Sequence, residues 1–240
     1  MANFHTHLTV ATSASVIAGG LVAACGLLSP IETVIAIGIG IIGGFLPDVD
    51  SDHSTSIKIV FDILAAILGF CGIFILMPYL GILIGISSWF VIFLLVRFGI
   101  IHLFRKLTVH RGIFHSIPMG IFLSLLLGIC IYKLTSLSLT SWFFSLFLFY
   151  GFCVHLLLDE IYSVNLSGVT LKKSFGTAFK LISFKEIIRY LILYTLIGFI
   201  FFFMPNYQIV QTELNKANVI SHIQHNLYPP FLNKSSENIS

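Results

Sequence analysis

Runs of about 20 predominantly apolar residues recur along this chain, the length a helix needs to cross the roughly 30 Å hydrocarbon core of a bilayer. Seven are read, at roughly 8–28, 31–47, 59–77, 80–103, 114–134, 140–159 and 186–204. Charged residues make up 10% of the chain and hydrophobic residues 57%. A soluble domain carries about a quarter charged residues and still exposes a large part of its surface. The expected fold class is therefore all-α, a polytopic transmembrane bundle of about seven spans, with membrane lipid as its solvent and partner. Met1 to His7 contain no Lys or Arg, so the first run is expected to be a retained span, not a signal peptide.

Residues 1–205 read as the transmembrane domain and 206–240 as a polar tail, with one helix expected around 207–224. Ser29-Pro30 and Met77-Pro78 are read as tight connections, with proline as punctuation. The second run carries Gly38, Gly40, Gly43 and Gly44, a composition that lets helices approach closely. Cys25, Cys71, Cys130 and Cys153 each lie inside an apolar run and form no CxxC pair, so they read as small buried hydrophobes. A net charge of +3 is too small to argue for nucleic acid; the placement of the charges is more informative.

With seven spans, ten of the 13 Lys and Arg residues fall on the side of the N-terminus or at its boundary. Lys133, Lys216 and Lys234 fall on the other. The excess of positive charge makes the N-terminal side cytoplasmic, as expected for a bacterial inner membrane protein.

Four distant segments then deliver ionisable residues to that same face. His5 and His7 precede the first span, and Pro47-Asp48-Val49-Asp50-Ser51-Asp52-His53 follows the second. His110-Arg111-Gly112-Ile113-Phe114-His115-Ser116 joins the fourth and fifth, and His155 and Asp159 close the sixth. A charged group at the centre of a membrane helix costs about 2.5–3.5 kcal/mol, so such groups persist where they are partnered or functional. A cation shared by imidazoles and carboxylates is one such partner. This mixed donor set suits Zn, Mn or Fe, as one ion or two. The acidic turn is not a calcium loop of the EF-hand type: the sixth and twelfth positions hold His53 and Ile59 where Gly and Glu are required. His155 and Asp159, four residues apart, share a helix face and could simply bond one another. Asp62 reads either as a group orienting a ligand or as a boundary charge. The parts played by His5, Asp52, His53 and Glu160 stay open, and His222 and His225 fall on the opposite side.

The pieces Asn3-Phe4-x-Thr6-His7, LPDVDS at 46–51, HRGIFHS at 110–116 and HLLLD at 155–159, in this order among apolar spans, resemble the YdjM-type family. That family comprises bacterial inner-membrane proteins regarded as metal-dependent hydrolases and linked by name to LexA regulation. The resemblance covers about residues 1–205. It implies His7, Asp48, Asp50, His110, His115, His155 and Asp159 as the metal or catalytic set. The family pattern continues to a stretch containing Gly and Pro; here Gly168 is present, but no proline follows before Pro205.

The leading expectation is a membrane-embedded metal-dependent hydrolase acting on a phospholipid or another phosphoester amphiphile. Asp50 or Asp159 would be the general base, and Arg111 would bind an anionic group of the substrate through its fork of donors. A divalent-metal or proton transporter would use the same donors, but usually near the bilayer midplane. A scaffold held together by polar contacts would need no metal and fewer such residues.

Overall fold

The computed structural model describes residues 4–50, 55–102, 113–165, 170–171, 179–183 and 186–216. Helix α1 runs Phe4–Ala24, α2 Pro30–Gly43, α3 Thr55–Leu80 and α4 Ile82–Leu94. A π-helical turn, Leu95–Ile100, continues α4. Then come α5 (Ile117–Thr135), α6 (Ser138–Ser163), α7 (Ile187–Phe202) and α8 (Gln208–Lys216). The helical bundle expected from the apolar runs is what the chain forms. The one sheet among the described residues is a two-residue antiparallel pair, β1 (Val164–Asn165) with β2 (Thr170–Leu171).

Among the described residues five stretches are long and apolar enough to cross a membrane: Phe4–Ala24, Ile57–Phe74, Ile82–Ile100, Ile117–Thr135 and Ser138–Ser163. Helices α2 and α7 are apolar but shorter, at 14 and 16 residues. At 1.5 Å per residue α2 covers about 21 Å, less than the hydrocarbon thickness. Large apolar side chains face outward all along these helices, Ile17, Ile31, Phe70, Phe74, Leu83, Phe98 and Phe202 among them, as lipid-facing surfaces require.

The chain breaks where backbone chemistry allows. Gly26, at φ +66°, ends α1, and the Leu27 N–H reaches back to the Val22 carbonyl. Ser29 then caps α2 reciprocally with Glu32, and Pro30 opens the helix. The Met77-Pro78 connection is corrected: Pro78 lies inside the last turn of α3, and the reversal falls at Gly81, φ +85°. Pro78 gives up one i→i−4 hydrogen bond without ending the helix, whereas that positive φ at Gly81 favours glycine. Cys25 is buried, Cys153 is partly buried and Cys130 is exposed on the outer surface of α5, so the buried reading fails for Cys130.

Helices α1, α2 and α6 form the core of the bundle, with α5 and α7 packed on α6 and α5 respectively. His7, Ala11, Ser15 and Gly19 make the buried stripe of α1, each four residues from the next. The glycines of α2 set how close the helices come. A Cβ at Gly151 would fall on the Gly40 carbonyl oxygen, and one at Gly43 on the Leu148 carbonyl oxygen. Gly38, by contrast, faces open space. At one end of this core Thr140 donates to Glu32 (2.5 Å) and Trp142 to the Pro205 carbonyl (3.0 Å). The opposite end holds the ionisable residues.

A candidate metal centre at one end of the bundle

His7 lies in the first turns of α1 and Asp48 in a 3-10 turn, Pro47–Asp50, that follows α2. His115 immediately precedes Ser116, the N-cap of α5, while His155 and Asp159 lie one turn apart near the end of α6. The Ser116 hydroxyl accepts from the Met119 N–H and donates to the Ile113 carbonyl, which fixes the approach to α5. The Ile117 N–H also bonds the Lys180 carbonyl at 3.2 Å, so the 179–183 segment braces the chain next to His115.

These five side chains converge. His7 Nε2 stands 3.4 Å from Asp159 Oδ1. His115 Nε2 stands 3.5 Å from Asp48 Oδ1 and 3.7 Å from Asp159 Oδ2. His155 Nε2 stands 3.6 Å from Asp48 Oδ1 and 3.9 Å from Asp159 Oδ2. The His7 and His155 rings stack, with centroids 3.9 Å apart and planes at 14°. His7, His115, His155 and Asp159 are buried; Asp48 is the most open, with 18% of its side chain exposed.

The tautomer of His155 follows from its other nitrogen. Nδ1 lies 2.8 Å from the Gly44 carbonyl oxygen, an acceptor only, so Nδ1 carries the proton and the neutral ring presents its lone pair at Nε2. That lone pair faces carboxylate oxygens, which are also acceptors. Nothing in the pair supplies a proton to bridge them. Among the described residues His155 Nε2 and Asp159 Oδ1 are buried and make no hydrogen bond, an arrangement that costs free energy unless a cation lies between.

The spacing fits that cation. Two ligand atoms about 2.0–2.2 Å from a tetrahedral ion stand about 3.4 Å apart, and wider angles give somewhat more. Two triads meet the geometric requirement, His7–Asp48–His155 and His115–His155–Asp159. They share His155, whose single free nitrogen can serve one ion. The described donors therefore suit one ion with up to five ligands.

Of the residues expected from the sequence, His7, Asp48, His115, His155 and Asp159 are brought together. Asp50 has its backbone in the same turn as Asp48, with its side chain outside the described set. His110, Arg111, Asp52 and His53 lie outside the described residues. His155 and Asp159 do not simply bond one another: at 3.9 Å they are too far apart, and His155 uses Gly44 instead. Asp62 does not reach the cluster; it pairs with Arg97 in the α3–α4 hairpin. Sequence reasoning missed the Gly44 carbonyl and the Lys180 brace. The doubled glycine Gly43-Gly44 was the available signal for the first; nothing local announced the second.

No curated protein and no solved structure matches the chain. A family model described as YdjM inner membrane protein matches residues 1–202. The chain is a membrane protein and belongs to the YdjM inner membrane protein family.

Proposed function

We propose that this protein is a membrane-embedded, metal-dependent hydrolase of phosphoester amphiphiles, phospholipids being the natural class, with its site at the cytoplasmic face of the inner membrane. The observation that carries the reading is the set of three imidazole nitrogens and two carboxylates spaced 3.4–3.9 Å apart, with acceptor facing acceptor at His155. Purely structural polar contacts would pair donors with acceptors.

A divalent cation held there would lower the pKa of a bound water and polarise a phosphoryl oxygen. His7, His115 and His155 would hold it through Nε2, and Asp48 and Asp159 through their carboxylates. Water adds to phosphorus, the ester P–O bond breaks, and a carboxylate takes the proton the water loses and returns it to the departing oxygen, which leaves as the alcohol. Asp159 lies inside the donor cluster, which favours Asp50, two residues beyond Asp48 on the same turn, as that base. Arg111, between His110 and His115 in sequence, would bind the substrate's anionic oxygens in a bidentate fashion. His110 is the remaining donor from the sequence for a second ion. Zn, Mn and Fe suit the mixed set.

Topology supports an interfacial substrate. Seven passes, counting the short α2 and α7, would put His7, Asp48, His115 and Asp159 on the N-terminal side, and the Lys and Arg excess favours that side as cytoplasmic. The test is release of a water-soluble phosphorylated product from phospholipid in mixed micelles by metal-loaded protein. Loss of product with His115→Ala, Asp159→Ala and Asp50→Asn is the expected result; undiminished hydrolysis in all three would refute the reading.

A further inference from the structure

The turn that carries Asp48 is anchored by its next residue. Val49 is 4% exposed and sits in an apolar socket with Ile57, Phe61 and Ala65 of α3 and Val96 and Ile101 beyond α4. The three α3 residues are four apart and share one face. Val96 and Ile101 are five apart, which an α-helix would splay by about 140° (at 100° per residue). The π-helical turn brings them to one face: the Ile101 N–H bonds the Val96 carbonyl, the five-residue spacing of a π-helix. That irregularity therefore completes the wall against which Val49 rests. Among the described residues the Pro47–Asp50 turn is also the main element through which the α3–α4 hairpin meets the other helices.

We propose that Val49 is a positioning residue of the metal centre. Seated between α3 and the π turn, it fixes the 3-10 turn so that the adjacent Asp48 faces His115 and His155. Asp48 needs such a device, because it lies on a 3-10 turn of only four residues, whereas His7, His155 and Asp159 lie on long α-helices and His115 is held beside the Ser116 cap. It is also the most exposed of them. The inference rests on the metal reading above and concerns how one of its ligands is held.

The test is a double-mutant cycle on the purified full-length protein in detergent, read as Co(II) affinity and as the visible absorption of bound Co(II). Val49→Ala should weaken Co(II) about tenfold, the lower end for losing a residue that orients a ligand. Its spectrum should shift towards that of Asp48→Asn. In the Asp48→Asn background, Val49→Ala should change affinity less than about twofold, because Asp48 is then no longer there to position. Val96→Ala empties the same socket from the other wall and should weaken Co(II) in the same direction, so the result does not hang on one variant. Equal losses in both backgrounds, or no loss with either socket variant in protein that binds Co(II), would overturn this proposal alone. Wild-type protein that takes no Co(II) would overturn the metal reading and this proposal with it.

Discussion

His155 gives its Nδ1 proton to the Gly44 carbonyl at 2.8 Å and turns Nε2 towards Asp48 Oδ1 at 3.6 Å. One ring thus ties α6 to the end of α2 and offers a lone pair to the centre of the cluster. The two jobs can be separated. In His155→Asn a side-chain amide can still donate to Gly44 but offers no imidazole nitrogen. It should lose bound metal while staying within about 1 kcal/mol of the stability of metal-free wild type. His155→Ala strands the Gly44 carbonyl and should cost about 1–3 kcal/mol in addition to the metal. Unfolding curves of metal-free protein beside metal content check both.

Close backbone contact between α2 and α6 is what brings His155 within reach of Gly44. Gly151→Ala would drive a Cβ into the Gly40 carbonyl oxygen, and neither partner is a flexible side chain. Thermal or denaturant unfolding should show a loss of about 1–3 kcal/mol and weaker metal binding. Gly38→Ala, on α2 but facing open space, should be neutral or stabilise by up to about 1 kcal/mol.

The Asp62–Arg97 pair sits on a hairpin whose other outward residues, Ile63, Leu64 and Phe98 among them, are apolar. Removing one partner leaves a lone charge at a lipid-facing position. Asp62→Leu should destabilise by roughly 2 kcal/mol, judged from the cost of a single charge in a membrane helix. Asp62→Leu with Arg97→Leu should recover most of that, and a double variant no better than the single would refute the pairing argument.

Much of the site was legible because bilayer thickness forces spans of similar length. Once the apolar runs are laid end to end, His7, Asp48, His115, His155 and Asp159 must emerge on one face, and the four-residue spacing of His155 and Asp159 puts them on one side of α6. The ends of the elements were less legible. The sequence puts the second run at 31–47, yet α2 stops at Gly43 because Gly44 is packed on Ala11 and the chain turns into Pro47–Asp50. Proline at position 78 looked like a break, while the left-handed Gly81 makes it. The Gly44 carbonyl, the π turn behind Val49 and the Lys180 brace are backbone or long-range relationships, which no residue pattern encodes. His110 and Arg111, read as part of the set, lie outside the described residues.

The proposed seven passes with a cytoplasmic N-terminus would place the chain's last residues on the far side. A reporter active only outside the cytoplasm, fused after Ser240, should be active, and the same reporter inserted after Asp52 should be silent. An inactive C-terminal fusion in a stably inserted protein would mean that α2 or α7 does not cross.

Elemental analysis of the detergent-purified protein, wild type beside His7→Ala and Asp159→Ala, tests the metal centre most directly. The account predicts a divalent metal at about one per chain from the described donors, with both variants depleted while still folded. Wild-type protein that holds no metal even after reconstitution with Zn or Mn, or variants that keep the full complement, would contradict it.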